Sequence, residues 1–372
     1  MKASVMTLSL SNNYGATLQA YALVRKMNNL GIDTVAYKYI DKKRLTYGLT
    51  FKQKIYYFLW NFFKNTITLN KRNRLFKKFR KKNIPYTTKR YHNNKELCKN
   101  PGEYDVYLSG SDQIWNPDLF LYDLSYFLNF VPKGKKKVAY ASSFGKSSFQ
   151  SKYAETCGAL LKDFSHIAVR EESGINIVKE LSGQDAECVL DPTLLLTAEE
   201  WEIVTEKAKK KAKKFNGILC YIMPGKKSVV DKIKETAEKL SKEKGLPIKY
   251  IGIKEYQIFK YGIKNCDIFV SPEDFVCYFK NASCVVTNSF HGTAFSLTFN
   301  KDFYVPIDGK IANGVALHER VLSILSKTGA ENALVPVDED INLKELNKKE
   351  VQEKLSKERT LSLEYLKKSI GV

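Results

Sequence analysis

The opening forty residues constrain the fold more than any other stretch. Ser4–Ser11 (SVMTLSLS) reads as a strand, Asn12–Gly15 as a loop, Thr17–Asn29 as a helix that Gly31 ends, and Thr34–Tyr39 as a second strand. A strand, a crossover helix and another strand in immediate succession predict a parallel sheet with right-handed connections and helices over its faces. The same order returns later. Ile218–Met223 reads as a strand, Pro224-Gly225 as a turn, Ser228–Lys242 as a helix and Ile248–Ile253 as a strand. A chain of 372 residues is long for one core. The prediction is an α/β protein of two Rossmann-like halves, residues 1–195 and 215–372. A lysine-rich helical region, 196–214, links them.

Between these anchors, Asp105–Leu108, Val138–Ser142, Ile167–Val169 and Cys188–Leu190 read as further strands of the first half. In the second half, strand Ile268–Val270 leads into Ser271-Pro272-Glu273-Asp274, a helix start with a hydroxyl cap, proline in the first position and acids in the first turn. Cys284–Val286 and Phe303–Ile307 read as strands. A helix over Val315–Lys327 carries His318 and Arg320, and a charged helix over Leu343–Ser369 follows. Thr197–Asn216 is expected to be one continuous helix.

No apolar run approaches the ~20 residues that span a bilayer, and the first residues read as a strand and not as a signal peptide. Seven cysteines without a CxxC pair and four scattered histidines argue for reduced thiols, a cytoplasmic setting and no metal site. No GxGxxG follows a strand and no GxxxxGK[ST] occurs, which argues against nicotinamide and P-loop chemistry. The formal net charge is +21, and it is concentrated. Asp41–Lys99 holds 18 Lys or Arg against two acids, and is read as a basic insertion in the first half. Within it Phe51, Ile55, Phe58, Leu59 and Phe62 fall at helical spacing among lysines. A second patch, Arg72–Lys82, mixes Leu75, Phe76 and Phe79 with basic residues. Two readings stand side by side: amphipathic helices lying on an anionic membrane surface, or aromatic stripes packed onto the domain with only the lysines in solvent. Nucleic acid is not expected, because no fold that reads it accompanies the charge.

Chemistry concentrates in VVTNSFHGTAFSL, residues 285–297. A short buried strand breaks at Thr287, Asn288 and Ser289 and restarts as a helix from about Thr293, placing His291 between Phe290 and Gly292 in the turn. Such a turn lies at the carboxyl edge of a parallel sheet, where backbone N–H groups accept anions. Two other loops reach the same kind of edge: Asn13-Tyr14-Gly15, and Ser109-Gly110-Ser111-Asp112. Arg170 stands at the tip of its strand, where it can grip a carboxylate or phosphate bidentately or pair with Glu171 or Glu172.

Taken in order, NNYGATLQAYAL, SGSDQIWNP, the arginine of AVREESG, DPTLLL and SFHG resemble the polysaccharide pyruvyl transferase family, over most of the chain except 41–99. The resemblance implies two Rossmann-like domains in a GT-B-like arrangement with a cleft between them. It implies phosphoenolpyruvate as donor substrate, no cofactor, and as acceptor a saccharide of a cell-surface polysaccharide or its lipid-linked precursor. His291 would then be the acid/base and Arg170 the donor anchor. Asn13, Tyr14, Gly15, Ser109, Asp112, Ser289, Phe290, Gly292, Thr293 and Arg320 would bind substrate, with the Gly292 and Thr293 amides on the phosphate or carboxylate. A lipid-linked acceptor would place the protein at the inner face of the plasma membrane. The other readings are a GT-B-type glycosyltransferase using a nucleotide sugar and a non-catalytic polyanion- or membrane-binding scaffold.

Overall fold

The computed structural model describes residues 1–40, 67–119, 123–252, 260–264, 266–308 and 316–372. In the first lobe the strands are β1 (Lys2–Met6), β2 (Asp33–Tyr39), β3 (Tyr86–Tyr91), β4 (Val106–Ser109), β5 (Lys136–Ser142), β6 (His166–Val169) and β7 (Glu187–Cys188). They lie in the order β3-β2-β1-β4-β5-β6-β7. The second lobe has β8 (Ile218–Tyr221), β9 (Ile248–Ile251), β10 (Cys266–Asp267), β11 (Cys284–Thr287), β12 (Asp302–Ile307) and β13 (Leu334–Pro336), in the order β10-β9-β8-β11-β12-β13. Every pairing among these strands is parallel. Each lobe therefore has one topological switch point, between β1 and β4 in the first and between β8 and β11 in the second. Loops leaving these strands in opposite directions open a crevice at their carboxyl ends.

The principal helices are α1 (Tyr14–Asn29), α2 (Ile67–Asn83), α3 (Pro272–Asn281), α4 (Phe290–Thr298), α5 (Ala316–Thr328) and α6 (Lys348–Ile370). One apolar cluster runs through both lobes, from Ala3 and Val5 under α1 to Phe275, Phe295 and Leu366. At the seam the Tyr14 ring stacks on Phe275 at 4.4 Å between centroids, and its hydroxyl donates to the Val270 carbonyl at 2.8 Å. Tyr21 meets Trp201 nearby. The lobes are two by topology, yet they share this core. Helix α6, grouped by sequence with the second half, packs back on the first lobe. There Ser362 Oγ accepts from the Leu190 amide at 2.9 Å and Arg359 Nε donates to the Leu194 carbonyl at 2.7 Å.

Several local expectations are corrected. The first strand ends at Met6, because Thr7 and Ser9 turn out to bond the Ser111 and Tyr37 carbonyls. The helix expected over Thr197–Asn216 is two short ones, Ala198–Thr205 and Lys210–Lys213, because Asp274 captures the Lys209 amide at 2.7 Å and turns the chain. The Ser271 start is as expected, with a reciprocal cap between Ser271 and Asp274. Residues 41–99 are more than an insertion: they hold α2 and the edge strand β3 of the first sheet. In α2 the aromatic residues Phe76 and Phe79 are fully buried, Phe76 against Tyr14 and Phe79 against Tyr21. The second basic patch is therefore a packed helix with its lysines outward. The first, from Phe51 to Phe62, lies outside the described residues. No helix among the described residues is long and apolar enough to cross a membrane.

Candidate active site

Where the lobes meet, the loops after β1, β4 and β6 and the turn at Asp191 face α4 and α5. Helix α4 begins one turn earlier than the sequence suggests. Ser289 caps it, its Oγ accepting from the Gly292 amide at 3.3 Å while its carbonyl takes the Thr293 amide at 2.9 Å. His291 thus sits in the first helical turn, and the Gly292 and Thr293 amides assigned to an anion are already bonded. Gly292 is there for space, since a Cβ on it would stand 2.4 Å from Thr287 Oγ1.

A buried carboxylate organises the first-lobe side. Asp191 caps a short turn, Pro192–Leu195, with Oδ1 accepting from the Thr193 amide at 2.9 Å and from Thr193 Oγ1 at 2.7 Å. Its Oδ2 accepts from Arg170 Nη1 at 2.9 Å and from Ser111 Oγ at 2.8 Å, and lies 3.9 Å from His291 Nε2. Arg170 therefore pairs with Asp191, with Asp112 Oδ1 a further 3.9 Å from its Nη2, and not with its sequence neighbours. Glu171 turns away to accept from Ser143 Oγ and the Gly145 amide. The Phe290 ring lies under the Arg170 guanidinium at 4.7 Å. Asp112 itself has φ of +81°, a left-handed conformation uncommon for a residue with a Cβ and often held at functional sites.

A second guanidinium arrives from the other lobe. Arg320 on α5 is almost wholly buried beside Gln113, whose side-chain amide, turned with its oxygen toward the guanidinium, accepts from Nη1 at 3.0 Å and Nη2 at 2.5 Å. Arg170 Nε and Nη2, Arg320 Nε and His291 Nε2 are all buried without a hydrogen-bond partner. Buried donors left open are expensive in a finished core, where such groups are nearly always paired. Two guanidiniums with spare buried N–H groups near one imidazole have the donors that an anion with more than one acidic group would need.

The electrostatics follow from burial. Loss of water pushes His291 below the ordinary imidazole value, against Asp191 and Asp112, which favour its cation. Burial, with Arg170 close by, pushes Arg320 down to about 10. Burial also opposes the Arg170 charge, but Asp191, Asp112 and Glu171 outweigh it and hold the guanidinium more firmly than usual. Asp191 stays below the usual carboxylate range despite its burial, held by His291, Arg170 and the Thr193 donors.

The other residues singled out from sequence are distributed as follows. Asn13 caps α1 through its Oδ1, and Gly15 lies in the first turn of that helix against the His291 ring. Tyr14 is corrected to a seam residue, because its ring is stacked and its hydroxyl is taken by Val270. Ser109 is fully buried and donates to the Tyr126 carbonyl, so it offers nothing to a substrate. Thr293 is likewise fully buried, bonded to the Ser289 carbonyl. Asp191 is the residue that residue-by-residue reasoning passed over; the only hint was its place before Pro192 in DPTLLL. Among the described residues no cluster of three or more His, Cys, Asp or Glu could hold a metal ion.

Two Rossmann-like lobes meeting around a buried, cationic, imidazole-bearing cluster define an α/β architecture of the GT-B type. The family model for polysaccharide pyruvyl transferase matches residues 13–307, and the chain belongs to that family. Among solved structures it is similar to UDP-GlcNAc 2-epimerase from Methanocaldococcus jannaschii in complex with UDP-GlcNAc and UDP, with a TM-score of 0.50, 13% identity, and 96% of this chain and 92% of that one covered. It is also similar to S. aureus MnaA bound to UDP, with a TM-score of 0.49, 11% identity, and 96% and 87% covered. At 13% identity the likeness to the Methanocaldococcus jannaschii enzyme is one of fold. No curated protein matches the chain in sequence.

Proposed function

We propose that the protein transfers a pyruvyl group from phosphoenolpyruvate to a sugar of a cell-surface polysaccharide or its lipid-linked precursor, forming a cyclic ketal on two hydroxyls. The observation that carries this reading is the pair of buried guanidiniums, Arg170 and Arg320, whose unbonded N–H groups surround His291 in a member of this family. Phosphoenolpyruvate carries a carboxylate and a phosphate, one for each fork. His291 as imidazolium gives a proton to the methylene carbon, which becomes the methyl group, and C2 takes on oxocarbenium character. One sugar hydroxyl adds to C2 and returns its proton to the imidazole. The second hydroxyl displaces the phosphate, and its proton leaves with that group. A positioned acid/base of this kind is typically worth about 10²–10⁴ in rate. An anion bound beside His291 opposes the effect of burial and favours the protonated ring that the first step needs.

The exposed face of α2 supports a lipid-linked acceptor. Lys71, Arg74, Lys77, Lys78, Lys81 and Lys82 all face solvent there, and the helix holds no acid. Arg80 and Asn73 of the same helix bond Asn12, in the loop that leads to Gly15. A basic face beside the loop that leads to Gly15 suits approach to anionic headgroups at the inner face of a cytoplasmic membrane.

The deciding experiment is thermal stabilisation by phosphoenolpyruvate, compared with uridine and guanosine diphosphates, on wild type and Arg320→Gln. Arg320 is the cleaner site, because removing Arg170 strands Asp191 and costs about 3–5 kcal/mol of stability by itself. Stabilisation by phosphoenolpyruvate alone, lost in Arg320→Gln, is expected. Stabilisation by a nucleotide alone would replace this reading with a nucleotide-sugar glycosyltransferase.

A further inference from the structure

The two nitrogens of the His291 ring face different surroundings. Nε2 is fully buried, bonded to nothing and 3.9 Å from Asp191 Oδ2, too far for a hydrogen bond but one small ring rotation from it. Nδ1 faces Gly15 across the lobe boundary. A Cβ on Gly15 would stand 2.1 Å from Nδ1, 2.3 Å from Cε1 and 2.5 Å from Cγ, so the missing side chain is what lets the imidazole lie with this edge against the Gly15 backbone. Asp191 cannot drift, because four donors fix its two oxygens: the Thr193 amide and hydroxyl on one, Ser111 Oγ and Arg170 Nη1 on the other.

We propose that Asp191 and His291 form a dyad in which Asp191 is the positioning residue: it keeps a proton on Nε2 and leaves Nδ1, on the edge of the ring beside Gly15, as the atom that exchanges a proton with the substrate. The physical reason is the tautomer. In a neutral imidazole one nitrogen donates and the other accepts, and a nearby group selects which. A carboxylate behind Nε2 favours the donor there, which makes Nδ1 the basic atom. The charged groups facing the ring are Asp191 and Asp112, which favour its cation, and Arg170 and Arg320, which oppose it. Of the two carboxylates, Asp191 alone stands within 4 Å of a ring nitrogen. The arrangement also crosses the lobes, with Asp191 and Gly15 supplied by the first and His291 by the second.

That Nδ1 exchanges its proton with phosphoenolpyruvate rests on the function proposed above; the dyad itself does not, and the test separates them. The full chain labelled with ¹⁵N-histidine gives four imidazoles, His92, His166, His291 and His318, and His291→Gln identifies the one of interest. In wild type, neutral His291 is expected as the Nε2–H tautomer. In Asp191→Asn the population moves toward Nδ1–H and the His291 titration midpoint falls. An Nδ1–H tautomer in wild type, or a folded Asp191→Asn protein with unchanged tautomer and midpoint, overturns the dyad. Should Asp191→Asn fail to fold, the wild-type tautomer decides alone. Absence of any response to phosphoenolpyruvate with the Nε2–H tautomer present would overturn the functional reading and leave the dyad standing.

Discussion

Gly15 shows how much one missing side chain governs here. It lies in the first turn of α1 against His291 of the opposite lobe. Gly15→Ala must displace the imidazole or part the lobes, and overpacking of this kind costs about 1–3 kcal/mol. The expected outcome is a lowered unfolding midpoint with ketal formation abolished, read by thermal melts and product analysis. A second prediction concerns pH. Burial holds His291 neutral below the ordinary value near 6.5. The stability this contributes is complete above that value and is lost as pH falls toward the folded midpoint, because the unfolded chain takes up the proton first. Wild type should therefore lose more stability between pH 7 and pH 5 than His291→Gln, measured by denaturant titration at each pH. His291 and Arg170 were legible as residue types at sheet edges. Asp191 was not, because its meaning comes from the two partners that folding brings to it. Gly15 was noticed as a loop glycine, whereas its importance is steric and comes from a residue 276 positions away.

At the scale of elements, α2 separates two properties that the sequence leaves entangled. Its aromatic stripe is spent on Tyr14 and Tyr21, so any attraction to a membrane through this helix is by charge without insertion. The triple variant Lys77→Glu, Lys78→Glu, Lys81→Glu should keep its melting temperature within a few degrees, since these side chains touch solvent. It should sediment less with vesicles of mixed phosphatidylglycerol and phosphatidylcholine, and wild-type binding should fall as salt rises. Equal sedimentation of the two would remove α2 as a membrane contact. The same region explains why β3 went unread. An edge strand tolerates charged side chains that guard its open side, and Lys89 and Arg90 mask the alternation between Tyr86 and Tyr91. The central strands, buried on both faces, carry continuous apolar runs and were legible.

On the scale of the whole molecule, the doubly wound pattern of both lobes followed from alternating strands and helices. Their union did not, since the seam depends on residues such as Tyr14 and Phe275 with no mark of pairing in sequence. Helix α6 is the clearest case, because its period announces a helix and says nothing about which lobe it covers. Ser362→Ala should leave the buried Leu190 amide without its acceptor and cost about 1–3 kcal/mol. Because that amide adjoins Asp191, the variant should also weaken stabilisation by phosphoenolpyruvate, though it lies outside the cleft; a melt with and without the donor measures both. The path of α6 has a further bearing on biogenesis. A chain made from its N-terminus presents β1–β7 and the Asp191 turn to the cell long before residues 348–370 emerge to cover them. The first lobe thus waits, incompletely covered, until Lys348–Ile370 has been made. Ribosome-bound intermediates of this protein are where chaperones should be found, and the pocket is armed only once synthesis has passed α6.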